Sequence, residues 1–215
     1  MDQSIRSLSA DETITIRLFV FGPDFKNMRA VVQQLLPHCD YMHVLLTDPQ
    51  ADQPTDRWTT DPRVTMGYAD FRDEGIPPVQ HGYCLQTSDA FSYPSEYVGT
   101  MVSAVEQYKR TAIVGLDGNL VVEPASGWRC APPDGLSRDM PVHLLGADTL
   151  AYHVHALQVP GYRSVQLAIW AQCYSIPLVA LRRTKNWVTM RTPGSPVHLI
   201  DPEMHRREWQ LHSPA

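Results

Sequence analysis

Four aspartates stand at or just after the ends of apolar runs: Asp24, Asp48, Asp89 and Asp117. A carboxylate in that place has two uses. It can form a turn or cap a helix, because Asp bonds backbone amides that follow it. It can also hold a divalent cation against a diphosphate, since hard oxygen donors suit Mg and Mn. Asp148 comes after Gly146-Ala147. Asp148, Asp117 and the histidines are the groups able to take a proton from an attacking hydroxyl. Arg182, Arg183 and Lys185 can neutralise a leaving phosphate, although a solvated basic turn is the plainer reading of that run. His153 and His155 alternate along an apolar stretch and share a face, but a zinc site needs further ligands at a defined spacing. Ser88 lacks the Gly-x-Ser-x-Gly context of a nucleophile elbow. Trp170, Trp187 and Trp209 can stack on a sugar or a base, though such rings more often pack cores.

These groups need a frame, and the hydrophobic pattern supplies one. Ile14 to Phe21 reads as a buried strand, broken by Gly22-Pro23-Asp24. Met28, Val31, Val32, Leu35 and Leu36 then repeat with helical spacing, and Pro37 stops them. Tyr41 to Thr47 is a second strand, so the first 50 residues form a βαβ unit and favour a parallel α/β sheet. Further strands are expected at Arg63–Tyr68, Gly82–Thr87, Thr111–Leu116 and Ile176–Leu181. A helix is expected to open at Tyr93-Pro94-Ser95-Glu96, with Pro in its first turn, and to carry Tyr97, Met101, Val102, Val105 and Tyr108 as its apolar stripe. Glu123 to Asp139 reads as a surface excursion or an active-site loop. Val142–Leu145 and Thr149–Val154 flank Gly146-Ala147-Asp148 and are expected to pair as a hairpin or bent strand pair. Ser164 to Tyr174 reads as a buried helix. In an open parallel sheet, ligands bind beyond the carboxyl ends of the strands. That rule places Asp24, Asp48, Asp89 and Asp117 on one edge.

Composition narrows the function. Among 215 residues, Lys+Arg is 18 and Asp+Glu is 23, a net charge of -5. A chain that binds nucleic acid through bulk charge carries a basic excess, and this one does not. The 18 prolines against 12 glycines argue against a long-helix bundle. No run approaches the roughly 20 apolar residues of a membrane span, and the polar N-terminus lacks a signal-peptide pattern. Cys39, Cys84, Cys130 and Cys173 form no C-x-x-C pair, which fits reduced thiols in a cytoplasmic protein. The expected organisation is a polar leader over 1–12, one α/β domain over 13–190 and a Pro-containing tail over 191–215.

The stretch Gly82-Tyr-Cys-Leu-Gln-Thr-Ser-Asp-Ala-Phe-Ser-Tyr-Pro-Ser-Glu-Tyr-Val98 resembles bacterial family 2-like glycosyltransferases with the GT-A fold. In that group a strand ends in an aspartate-rich motif, and Tyr-Pro-x-Asp-Tyr-Val opens the next helix. Leu144 to Tyr152 resembles the group's Leu-Gly-Thr-Gly-Thr-x-Ala-Tyr stretch, and Ala171 to Val179 followed by Arg182 resembles its Ala-Gln-x-x-x-Ile-Pro ending in Arg. The resemblance runs in consistent order over about residues 14 to 187. It implies a single GT-A-like domain, with a mostly parallel central sheet flanked by helices. It implies transfer of a sugar from a nucleotide-sugar, with a UDP-sugar favoured, to an acceptor hydroxyl. Phe21, Gly22, Pro23 and Asp48 would line the nucleotide pocket. Asp89 would sit by the diphosphate and be the metal ligand, Arg182 would help bind the donor, and Asp148 or Asp117 would be the base. A divalent cation, Mn or Mg, would be the cofactor. A protein partner or a homodimer is left open.

The chain departs from the group at chemically important places. Ser88-Asp89-Ala90 stands where the group has an Asp triplet, and Ala90 replaces the direct metal ligand. Phe71 to Pro78 replaces a polar donor-site stretch, keeping Asp73 but no lysine. Gln166 falls where the group has a candidate basic Asp. These departures carry the alternative expectation, a non-catalytic glycosyltransferase-like subunit or binding module.

Overall fold

A computed structural model describes residues 12–21, 25–48, 59–69, 78–121, 128–130, 136–154, 164–184 and 186–191. The strands in chain order are β1 (Ile14–Val20), β2 (Tyr41–Leu46), β3 (Val64–Tyr68), β4 (Tyr83–Ser88), β5 (Phe91–Ser92), β6 (Ile113–Gly115), β7 (Gly118–Val121), β8 (Trp128–Cys130), β9 (Met140–Pro141), β10 (Leu144–Leu145), β11 (Thr149–His153), β12 (Leu178–Ala180) and β13 (Thr189–Met190). The helices are α1 (Phe25–Leu35), α2 (Tyr97–Gln107) and α3 (Ser164–Cys173).

Eight strands make the main sheet, in the order β3-β2-β1-β4-β11-β6-β12-β9. Pairings β1 with β2, β1 with β4, β2 with β3 and β12 with β6 are parallel. β11 runs antiparallel to both β4 and β6, and β9 antiparallel to β12. The sheet is therefore mostly parallel and the chain is mixed α/β, as its βαβ pattern implies. Smaller sheets join β10, β7 and β8, and β13 with β5.

All seven residues of β1 are buried, Thr15 and Arg17 among them, as suits a strand with neighbours on both sides. Alternate residues then serve opposite faces. Ile14, Ile16, Leu18 and Val20 pack with Met28, Val31, Val32 and Leu35 of α1 and with Met101, Val102 and Val105 of α2. On the other face, Leu167, Ala168 and Ala171 of α3 pack with Cys84, Leu150, Tyr152 and Ile113. The apolar stripe read for α1 is thus its buried face, and Pro37 falls in a 3-10 turn (Leu36–His38) that ends it.

Three local expectations change. Val142–Leu145 and Thr149–Val154 do not pair with each other. β10 pairs with β7, whereas β11 is inserted between β4 and β6. The apolar character of β11 suits a central strand with two neighbours better than one arm of a hairpin. Helix α2 opens at Tyr97, after Pro94 and Glu96, and Glu96 makes no side-chain cap bond; its Oε1 accepts the Trp187 Nε1–H at 3.0 Å instead. The stretch from Glu123 to Asp139 is not wholly a loop, because it contains β8. Residues 1–11, 70–77 and 192–215 lie outside the described set, and with them Asp73, Trp209 and all of the expected leader and tail but Glu12 and Arg191. Among the described residues, no helix is long and apolar enough to cross a membrane.

Candidate active site

β1, β2, β4, β6 and β12 all end on one edge of the main sheet, and antiparallel β11 begins there. Across that edge come Asp48 after β2, Phe21 after β1, Asp89 after β4, Asp148 before β11, Asp117 after β6 and Arg182-Arg183 after β12. The four strand spacings from β1 to β12, at ~4.8 Å each, span roughly 19 Å. Residues from 21 to 183 are gathered into that width. Asp48, Asp89 and Asp117 stand where the strand-end rule places them. Asp148 joins them for a reason that rule omits, since it precedes a strand running the other way. Asp24, Gly22 and Pro23 lie outside the described residues.

Asp89 is buried and belongs first to the local structure. Its N–H donates to Phe19 O at 3.0 Å, and its Oδ1 accepts the Phe21 N–H at 3.2 Å. Those bonds tie the end of β4 to the exit of β1. The Ser88–Ala90 turn is braced on its other side. Ser88 Oγ accepts the Ala90 N–H at 3.1 Å. The Tyr93 hydroxyl accepts the Ser88 N–H at 2.8 Å and donates to Ser88 O at 2.9 Å. The Arg191 N–H donates to Ala90 O at 2.8 Å. Nearly every polar atom of the turn is satisfied within the fold, so the position of the Asp89 carboxylate is fixed in advance.

Asp148 is a strongly perturbed carboxyl on this edge. It is buried, and its pKa is pushed up to about 7 by desolvation first, then by the charges of Asp117 and Asp89. Asp117 keeps 51% of its side chain open, yet surrounding protein still raises its pKa, with the Arg183 guanidinium opposing that rise. Arg183 Nη2 donates to Asp117 Oδ1 at 2.8 Å, and its Nη1 donates to Leu116 O. Only 7% of the Arg183 side chain is exposed. Three carboxyls and one committed guanidinium thus share the edge between β4 and β12.

Arg182 behaves differently from its neighbour. Its N–H donates to Asp139 Oδ1 at 2.7 Å, while its exposed side chain forms no ion pair among the described residues. It lines a cleft of about 660 Å³ with Leu116, Leu136, Leu181, Arg183 and Trp187. This cleft adjoins Asp117, because Leu116 precedes that residue and Arg183 bonds it. Phe21, half-buried, packs on Phe19, Leu45 and Ala69 at the opposite end of the edge. Arg182 therefore stands at β12, three strands from Asp89.

Other candidates separate from this site. His153 ends β11 at the far edge, is buried, and meets the Tyr83 ring edge-on with centroids 4.9 Å apart. That is a core position; His155 and Lys185 lie outside the described residues. Trp170 packs on Tyr174 at 4.6 Å. Cys39, Cys84 and Cys173 are free thiols. Gln166 lies in the first turn of α3. Among the described residues, no three His, Cys, Asp or Glu side chains are grouped so as to hold a metal ion. The Arg183–Asp117 pair and the Tyr93 brace were not distinguishable in the sequence, where Arg182 and Arg183 are equivalent neighbours and Tyr93 reads as a helix-start residue.

Comparison of the chain with models of known protein families finds no match, and neither does comparison with curated proteins.

Proposed function

We propose that the chain transfers a sugar from a nucleotide-sugar, with a UDP-sugar as the favoured donor, to an acceptor hydroxyl, on a GT-A-like sheet resembling that of family 2-like glycosyltransferases. The observation that carries this reading is Asp148, a buried carboxyl between two others at the ligand-binding edge, with a pKa of about 7. A base is most effective when its pKa lies near the working pH. Carboxyls perturbed by burial and like charge are also where catalytic groups concentrate.

In this reading Asp148 takes the proton of the acceptor hydroxyl while that oxygen attacks the anomeric carbon. The bond from that carbon to the diphosphate oxygen breaks, and the diphosphate leaves with the electron pair. The exits of β1 and β2, with Phe21 and Asp48, take the nucleotide. Asp89 holds the Phe21 amide and so sets where the chain leaves β1. Arg183 favours the charged form of Asp117, and that charge in turn raises the affinity of Asp148 for its proton. The row of positions along one edge supports such alignment, which supplies much of the rate in a two-substrate transfer.

A divalent cation fits the described residues poorly. Ala90 offers no donor at the expected ligand position, Asp89 Oδ1 is bonded to Phe21, and no carboxylate cage is formed among the described residues. No step is assigned to a metal. The same observations favour a second reading, a glycosyltransferase-like binding module that keeps the sheet without turnover.

Calorimetric titration with UDP, GDP and their sugars, with and without Mn, separates the readings. Transfer requires nucleotide binding and release of nucleoside diphosphate from a nucleotide-sugar. Binding without release supports the module. No binding under any condition removes the transfer reading. Asp89→Asn is expected to weaken UDP binding, and an unchanged affinity would take Asp89 out of the donor site.

A further inference from the structure

The cleft beside Asp117 has no role in the scheme above. Leu116, Leu136 and Leu181 give the cleft apolar lining, and Thr100, Ser137 and Thr184 add hydroxyl-bearing residues to it. Trp187 completes the lining. Its indole is held from outside the cleft by two contacts: Nε1–H donates to Glu96 at 3.0 Å, and the ring lies 5.8 Å from that of Tyr97 at a 38° tilt. The aromatic surface is thus fixed in place before any ligand arrives.

Charge is what gives the cleft a preference. Arg183 is neutralised by Asp117. The Asp139 carboxylate is occupied by two donors, the Arg182 N–H at 2.7 Å and the Tyr108 hydroxyl at 2.9 Å. The Arg182 guanidinium is therefore the cation in the lining that is left without an ion-pair partner among the described residues. A planar aromatic ring, several hydroxyls and one available guanidinium suit a sugar ring that carries an anionic group. The ring's C–H face packs on the indole, its hydroxyls bond the Ser and Thr side chains, and the guanidinium takes a carboxylate or phosphate in a fork.

We propose that this cleft binds an anionic saccharide, with its sugar ring on Trp187 and its carboxylate or phosphate on Arg182. Its role as the acceptor site rests on the sugar-transfer reading. The cleft adjoins Asp117, whose charge acts on Asp148, so a saccharide held there lies on the same sheet edge as the proposed base.

The test uses the full chain and four probes: glucuronate, glucose 6-phosphate, glucose and inorganic phosphate, titrated by NMR. The Trp187 indole N–H resonance is assigned by its loss in Trp187→Phe. Glucuronate and glucose 6-phosphate are expected to shift that resonance and to bind about tenfold more tightly than glucose or inorganic phosphate. Arg182→Gln, which removes no ion pair among the described residues, is expected to abolish the preference for the charged sugars while leaving the melting temperature unchanged. Stronger binding of glucuronate than of glucose 6-phosphate assigns the anion as a carboxylate, and the reverse order as a phosphate. Equal binding of glucuronate and glucose overturns the proposal. So does a preference that survives Arg182→Gln, or inorganic phosphate binding as tightly as glucose 6-phosphate. A UDP titration in parallel separates the two claims. UDP binding without saccharide binding removes the cleft and leaves the transfer reading. Saccharide binding without UDP binding does the opposite.

Discussion

Replacing Asp148 by Asn should make the protein more stable at neutral and alkaline pH. The Asp148 carboxyl has a pKa of about 7 in the folded chain, against an ordinary value of 3.8. Below pH 3.8 it is protonated in both folded and unfolded states, so it contributes no pH dependence there. Between 3.8 and about 7 the folded state keeps a proton that the unfolded state has lost, and stability falls as pH rises. Above about 7 both states are ionised, and the folded state carries the full cost of a buried charge beside Asp117 and Asp89. At 1.36 kcal/mol per pKa unit that cost reaches about 4 kcal/mol. Asn has nearly the same shape and no charge, so Asp148→Asn removes the cost. Urea unfolding of the wild type and Asp148→Asn at pH 4, 5.5, 7 and 8.5, with the second subtracted from the first, isolates this residue from every other titration. The variant is expected to match the wild type near pH 4 and to exceed it by a growing margin up to pH 8.5, toward about 4 kcal/mol. A difference that stays flat over this range would refute the argument that Asp148 is desolvated and coupled to its two neighbours. Sugar transfer should be lost in the same variant. A gain in stability with a loss of activity marks a functional residue held at a cost.

Other substitutions address the groups around it. Arg183→Gln leaves Asp117 without its ion-pair partner and should cost about 1–3 kcal/mol in urea unfolding at pH 7. Tyr93→Phe deprives both the N–H and C=O of buried Ser88 of a partner and should cost about 1–3 kcal/mol, read as a lower melting temperature. Gly82→Ala should be more damaging than an ordinary Gly→Ala change, because φ is 76° and a Cβ would lie 2.0 Å from Thr13 O. The left-handed backbone alone costs about 1–3 kcal/mol, and the Thr13 bond to the Tyr83 N–H, 2.8 Å long, would have to move; amide exchange at Tyr83 measures this directly.

The sheet was legible because its strands are buried on both faces and so read as continuous apolar runs. β2, β6, β12 and the Leu18–Val20 end of β1 were visible for that reason, whereas β4, with Gln86, Thr87 and Ser88, gave a weaker signal; the βαβ start favoured a parallel sheet. β11 was visible as a strand but not as a partner of β4 and β6. Pairing is decided by distant residues, and a short Gly-containing link such as Gly146-Ala147-Asp148 looks locally like a hairpin turn. That error mattered for the site. The strand-end rule gathers Asp48, Asp89 and Asp117, but it does not bring in Asp148, which depends on the reversed direction of β11. The start of α2 was misread for a similar reason. Tyr93 carries the hydroxyl that braces Ser88, and Glu96 is engaged by Trp187, so both residues serve tertiary contacts rather than the helix end. The distinction between Arg182 and Arg183 is likewise tertiary. One guanidinium meets Asp117 and a carbonyl, the other enters a cleft, and nothing in two adjacent identical residues separates them.

The most direct test is to map UDP binding by amide NMR on the full chain. Shifts are expected to concentrate at Phe21, Asp48 and Asp89, to continue toward Asp148 when a UDP-sugar replaces UDP, and to weaken in Asp89→Asn. No saturable shift with UDP or UDP-sugars, with or without Mn, would contradict the claim that this sheet edge is a nucleotide-sugar site. Shifts confined to the opposite edge, around Tyr83 and His153, would contradict it equally.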